Sequence, residues 1–397
     1  GHLEVGEGPS GALRPVSRIP AGARVLDCSG RIATKSFVNA HHHLYSALAL
    51  GMPPPRRAPK TFVEVLRRVW WRLDRALDRE MVRACALAGA VEAAKCGTTF
   101  VIDHHSSPNA RWSLELIAKA LDEVGLSHLL CLELSDRDGP AARERALRET
   151  DRYLRLRPGL VGLHASFTVS DGLLRDAVAL ARSHASGVHV HVAEAASDQE
   201  DCVARRGHRV LERFRKAGAL DLPRTLLAHG LHLSAAERRR LKDSPAWLVQ
   251  NPDSNRNNGV GELREAGLGE RVLLGTDGMH GDMLASCRSA YLGGRAQGRG
   301  SPLAAYRRLR RAHAYLEANG LGGDGANNLV VLDYRPPTPV RAENWAGHVL
   351  YGLGRAHVQA VISQGRLIVE GGRAVRVDED EVRELARRQA ERLWRRL

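Results

Sequence analysis

The hydrophobic positions of this chain follow two periods in turn. From Phe37 to about Asn319, short apolar runs of strand period are separated by longer stretches with apolar residues every three or four positions. The runs predict strands over Phe37–His43, Thr98–His105, Ser127–Ser135, Leu160–Thr168, Gly187–Glu194, Thr225–His232, Trp247–Pro252 and Arg271–Asp277. The stretches between predict helices over Glu80–Cys96, Trp112–Val124, Ala141–Leu156, Asp171–Ser186, Asp201–Ala217 and Ala235–Lys242, followed by Asp282–Gln297 and Pro302–Asn319. Eight strands separated by helices imply a parallel α/β sheet, and the number eight favours a closed (β/α)8 TIM barrel over an open sheet.

The flanks have a different texture. Val25–Ile32, Asn328–Tyr334 and Gln359–Val375 are short, β-like and punctuated by glycine turns. They suggest one small β-sandwich assembled from both ends of the chain. The expected organisation is therefore a barrel over 36–325, a discontinuous sandwich over 1–35 plus 326–376, and a C-terminal helix over 377–397. In that helix Val382, Leu385, Ala386, Leu393 and Leu397 form an apolar face that packs on the body.

Composition narrows the function classes. With 397 residues the chain has room for one large domain and a smaller one. No apolar run reaches the roughly 18 residues needed to span a bilayer, so no membrane partner is expected. Cys28, Cys85, Cys96, Cys131, Cys202 and Cys287 are scattered and form no C-x-x-C, which reads as reduced thiols of a cytoplasmic protein. The chain starts at Gly1-His2 without an initiator Met or a signal pattern, so a few leading residues are expected to precede it. The net charge of +14 is carried by arginines interleaved with Asp and Glu, as at Arg205-Arg206 and Arg238-Arg239-Arg240, and no nucleic-acid-binding motif accompanies them. Solvated helix faces explain this better than a specific nucleic-acid partner. A homodimer is the default assembly.

Candidate chemistry collects at the predicted strand ends. Phe37-Val38-Asn39-Ala40 runs into His41-His42-His43. On a strand, His41 and His43 share a face and His42 takes the other, so two imidazoles stand together as half of a site of the kind zinc or iron occupies. Later ends bring His104 and His105, His164, His191 followed by Glu194, then His229, Asn251 and Asp277. Polar groups closing seven of eight strands are hard to explain as packing, because each buried one costs free energy without a partner. A shared metal is the economical partner.

Four motifs in order, Phe37-Val38-Asn39-Ala40-His41-His42-His43, His191-Val192-Ala193-Glu194, Leu227-Ala228-His229-Gly230 and Gly275-Thr276-Asp277-Gly278, resemble the signature of the amidohydrolase superfamily. The H-V-A-E element is similar to its deaminase and chlorohydrolase branch. Phe62–Leu66 with Trp70-Trp71, Val101–His105 and Asn327–Tyr334 look closest to the SsnA-like aminohydrolases. The resemblance implies that His41, His43, His191 and Asp277 bind one divalent metal, with zinc expected and iron(II) the alternative. It implies that Asp277 and His229 orient a water and take its proton, and that Glu194 protonates a ring nitrogen of the substrate. His191 and Glu194 are three apart, so both reach one pocket only if the strand ends near Val192 and the chain turns.

The binuclear branch uses a modified lysine on the fourth strand. This chain has Leu163-His164-Ala165 there, so one metal is expected and His164 is freed for substrate contact, or else is a core or capping histidine. His105 is taken as lining the pocket. Gly51–Leu77, with Phe62, Trp70 and Trp71, reads either as a lid that stacks a flat heterocycle, Trp70 touching substrate, or as an aromatic face packed on the barrel rim. Asn251–Asn255 resembles the superfamily's polar loop that supports the site. The usual Pro-Gly before the first strand is replaced by Lys35-Ser36, which removes no ligand.

The expected function is hydrolytic deamination of a small N-heterocycle, purine- or pterin-like. The alternatives are removal of chloride or an alkylamine from a triazine-like ring, or cyclic amide hydrolysis. More remote is a basic nucleic-acid-associated protein with a vestigial site.

Overall fold

All eight apolar runs of the central region form strands in the computed structural model, which describes residues 1–397. They are Phe37–His42, Thr98–His105, Ser127–Leu134, Val161–Ala165, Val188–Val192, Leu226–His229, Trp247–Gln250 and Val272–Leu274. Each pairs in parallel with the next in sequence order. The first and eighth meet beyond the last strand. The amides of Thr276 and Asp277 both donate to the His41 carbonyl at 3.0 Å, and the His43 amide donates to the Asp277 carbonyl at 3.3 Å. These bonds close the barrel and place both ends of the chemistry side by side.

Several strands stop earlier than the apolar runs. The fifth stops at Val192, the sixth at His229 and the eighth at Leu274. At the first two of these ends Ala193 and His229 adopt positive φ of 48° and 72°, a left-handed backbone that ends a strand at once, and Asp277, three residues past the eighth strand, has φ 54°. Hydropathy cannot see this, because the residues remain buried after the ladder stops. The predicted helix Asp201–Ala217 is two helices, Ala196–Arg206 and Val210–Lys216. Gly207, at φ 70°, terminates the first by donating its amide to the Val203 carbonyl.

The flanks build antiparallel sheet. Ile32–Lys35 joins Leu329–Leu332, Val358–Ser363, Arg366–Glu370 and Arg373–Ala374 in one five-stranded sheet, so both halves of the chain contribute to it. His2–Val5 pairs with Leu13–Val16 as a separate hairpin. The C-terminal helix Glu379–Trp394 lies on Arg79–Lys95, with Val382 and Leu393 buried between them. Trp394 Nε1 donates to the Leu48 carbonyl at 2.8 Å, and Arg392 pairs with Asp78 at 3.0 Å. No helix is long and apolar enough to cross a membrane.

Candidate active site

Three strand ends converge on one point. A ligand atom from each of His41, His43, His191 and Asp277 lies within 4.8 Å of the other three, and all four residues are buried. Asp277 Oδ1 stands 2.9 Å from His43 Nε2 and 3.5 Å from His41 Nε2, and His43 Nε2 is 3.2 Å from His191 Nε2.

The rings are held from behind. His43 Nδ1 lies 2.5 Å from the His104 carbonyl, and His191 Nδ1 lies 2.7 Å from the His164 carbonyl. A carbonyl only accepts, so each Nδ1 carries hydrogen and each Nε2 is turned to the shared point. Burial pushes His41 down to about 3 and holds His191 well below the usual histidine range. Burial also opposes charge on His43, yet its hydrogen bond to Asp277 and that carboxylate's charge raise it to about 9. Burial likewise opposes charge on Asp277, but the neighbouring His41 and His43 rings keep it well below the usual carboxylate range. A proton on His43 serves only one of the converging nitrogens, and His41 Nε2 is left buried without a hydrogen-bond partner. Three imidazoles and one carboxylate suit a divalent metal, which serves all four at once.

A second group, of three residues, shares Asp277. Ligand atoms of Glu194, His229 and Asp277 also lie within 4.8 Å of one another. His229 Nε2 is 3.6 Å from Glu194 Oε2 and 3.8 Å from Asp277 Oδ2. His229 Nδ1 bonds Asn255 Oδ1 at 2.8 Å, which leaves Nε2 as the open lone pair, and burial lowers the ring's pKa. Glu194 is pushed well above the usual carboxylate range, first by burial and then by the charge of Asp277. Ser254 Oγ donates to Asp277 Oδ2 at 2.5 Å. Three of the six non-glycine residues with left-handed backbone, Ala193, His229 and Asp277, belong to this corner, where the side chains must converge.

A cleft opens above these groups. Phe62, Trp70, Trp71 and Phe167 supply aromatic walls, and His164 adds an imidazole whose Nδ1 bonds Thr168 Oγ1 at 2.6 Å. Asp74 and Glu133 reach the wall from behind, tied to Arg137 Nη2 at 2.5 and 2.7 Å.

Comparison with known proteins agrees with this geometry. The model of the Amidohydrolase family matches residues 32–309, more than half of the chain. The chain belongs to the amidohydrolase family. A 5-methylthioadenosine/S-adenosylhomocysteine deaminase of Desulforudis audaxviator is 29% identical over 426 residues, spanning 100% of this chain and 95% of the relative. Among solved structures, a zinc-bound adenosine deaminase from Xanthomonas campestris superposes with TM-score 0.79 at 20% identity, over 92% of this chain and 86% of that one. Atrazine chlorohydrolase from Arthrobacter aurescens, complexed with zinc, gives TM-score 0.81 at 17% identity, over 98% and 94%. At these identities the two structures speak for the fold.

Within this amidohydrolase, the residues singled out in sequence separate into three groups. His41, His43, His191, Glu194, His229 and Asp277 are brought together, and the turn after Val192 delivers Glu194 to the same pocket as His191. His164 and Trp70 line the cavity. His105 does not. It is buried behind the wall, with Nε2 2.6 Å from Ser107 Oγ and its ring against Tyr45, because strand alternation turns His104 inward and His105 away. His42 lies outside the cluster and bonds the Asp277 carbonyl at 2.7 Å. His232 bonds the Val260 carbonyl at 2.9 Å. Sequence reasoning passed over His189, whose Nε2 is 2.8 Å from His41 Nδ1, although it stands two residues before His191 and so on the same strand face. It also passed over Asp74 and Glu133, which sit in ordinary amphipathic patterns and carry no motif signal.

Proposed function

We propose that this amidohydrolase removes the exocyclic amine of an aminated purine, of the adenine-nucleoside kind, by hydrolysis. The observation that carries the reading is the meeting of two groups on one carboxylate: a ligand group of His41, His43, His191 and Asp277 beside the acid–base group of Glu194, His229 and Asp277. The name of the Desulforudis audaxviator relative supports an adenosine-derived substrate, and the aromatic walls from Phe62, Trp70 and Trp71 suit a flat ring.

His41, His43, His191 and Asp277 are the proposed metal ligands, with zinc as the ion. Bound there, the ion supplies a water acidified to near neutrality and polarised for attack. The remaining work falls to side chains. Trp70 stacks the heterocycle and His164 contacts it. Glu194, kept protonated by burial, donates to the ring nitrogen beside the amine-bearing carbon. His229 Nε2 and Asp277 Oδ2 hold the water's proton as the new C–O bond forms. The C–N bond then breaks, ammonia leaves with that proton, the new hydroxyl returns its own proton to Glu194, and the product is the corresponding oxo heterocycle. Balance requires one water in and one ammonia out.

The chemistry belongs to 36–325 in this reading, with 1–35 plus 326–376 and the helix of 377–397 as supporting structure. Six unpaired cysteines support a reducing, cytoplasmic setting. A homodimer is the proposed assembly, twofold assemblies being the commonest among soluble oligomers. A second reading, dechlorination of a triazine-like ring, draws on the superposition with atrazine chlorohydrolase. The decisive test is metal analysis of the purified protein, paired with ammonia and chloride release from a panel of adenine nucleosides, other aminated purines, pterins, pyrimidines and chlorotriazines. Ammonia from an adenine nucleoside is the expected result. A metal-loaded protein that releases none from any purine overturns the purine assignment, one that releases none from any heterocycle overturns the deaminase reading, and chloride release establishes the second.

A further inference from the structure

The three imidazoles of the ligand group are not held alike. His43 and His191 are fixed by backbone carbonyls, those of His104 and His164. Any side chain at those positions leaves the carbonyl in place. His41 is different: its Nδ1 faces a side chain, His189 Nε2, at 2.8 Å. The two rings cross at 69° with centroids 4.8 Å apart, and neither side chain is exposed to solvent. His189 Nδ1 in turn lies 3.6 Å from Cys131 Sγ.

This chain of contacts admits one proton arrangement that serves the proposed ligand group. His41 Nε2 lies toward Asp277 and has no hydrogen-bond partner of its own. For that nitrogen to offer a lone pair, the ring's hydrogen must sit on Nδ1. Nδ1–H then donates to His189 Nε2, which must be an unprotonated acceptor. The hydrogen of His189 is thereby placed on its own Nδ1, facing the weak acceptor Cys131 Sγ. The opposite arrangement, with His189 Nε2–H donating to His41, would put hydrogen on His41 Nε2 and remove it from the ligand group.

The geometry points to His189 as the positioning residue that selects the tautomer of His41 and fixes its ring for metal binding. The inference rests on the metal-site reading above. His189 touches neither the cavity nor the reacting atoms; it acts through His41 alone. Outer partners of this type set ligand orientation and basicity, and their loss typically costs about 10- to 100-fold in metal affinity.

The test uses the full chain and its affinity for Zn²⁺ and Co²⁺ by competition with a chromophoric chelator, together with the visible spectrum of the Co²⁺ form. His189→Leu keeps an apolar filling but removes the acceptor. It is expected to weaken both ions about 10- to 100-fold and to alter the Co²⁺ bands. His189→Gln restores a carbonyl acceptor and is expected to recover most of that affinity. Equal affinity and an unchanged spectrum in His189→Leu overturn the inference, as does a Gln variant no better than Leu. Should His189→Leu fail to fold, long-range ¹H–¹⁵N spectra of the histidine-labelled parent protein with Zn²⁺ decide the matter. The expected tautomer of His189 is Nδ1–H, and an Nε2–H tautomer overturns the assignment. A parent protein that binds neither ion, or binds equally after His41→Ala, instead fails the metal-site reading, so the two failures stay distinct.

Discussion

The outer surface of this protein is rich in arginine, whereas its cavity is lined by carboxyl groups. The chain has a net charge of +14, and its arginines ride on exposed helix faces, as with Arg148 and Arg387. The cavity is lined by Asp74, Glu133, Glu194, Asp198 and Asp277, with no lysine or arginine among its lining residues. The two regions obey different rules. Outside, water screens each charge and most pairs contribute about 1 kcal/mol or less. Inside, every carboxylate needs a specific partner: Asp74 and Glu133 share Arg137, Asp277 holds His41 and His43, and Asp198 accepts from the Ala193 amide at 2.9 Å. Net charge therefore describes the surface, and says nothing of what the pocket selects.

That contrast predicts a graded series of losses. The largest falls on the shared carboxylate. Asp277→Ala should abolish stoichiometric metal binding and lower ammonia release roughly 10⁴-fold, since several kcal/mol of barrier go with the ion. Metal content near that of the parent would break the ligand assignment. Glu194→Gln should cost about 1,000-fold in kcat while metal content stays at parent level. If metal is lost with it, the separation of ligand group from acid–base group is wrong.

Smaller changes probe the supports and then the surface. Ser254→Ala removes the hydroxyl that donates to Asp277 Oδ2, and should weaken metal affinity or activity about 10- to 100-fold with little change in Tm. Arg148→Gln, on the outer face of Pro140–Leu156, should leave kcat/KM within about twofold and stability within roughly 0.5 kcal/mol. An outer arginine whose removal cost as much as Ser254 would erase the distinction between screened surface and partnered interior.

Much of the architecture was legible because burial leaves a periodic trace. Both faces of a parallel barrel strand are covered, so each strand reads as an apolar run, and each covering helix as an amphipathic one. The run Thr98–His105 coincides with its strand, as Ala235–Lys242 does with its helix. Strand ends were less legible. Gly187–Glu194 reads as one apolar run, and only the three-residue spacing of His191 and Glu194 called for a stop near Val192; the ladder does stop there because Ala193 turns left-handed, and that turn brings Glu194 beside His229. His105 shows the converse error. Its place in a motif suggested the pocket, and alternation with His104 put it behind the wall.

The sequence by itself determined the number of strands, the order of the four motifs and the ligand set they imply, because these depend on residue type and short-range spacing. Tertiary structure alone decided which nitrogen of each ring is free, since that follows from what lies behind it: carbonyls of neighbouring strands for His43 and His191, and a side chain for His41. It alone joined His41 to Asp277, more than 200 positions later, through the bonds that close the barrel. A hydrogen bond across a closed sheet is set by register between distant strands, and no local pattern encodes it.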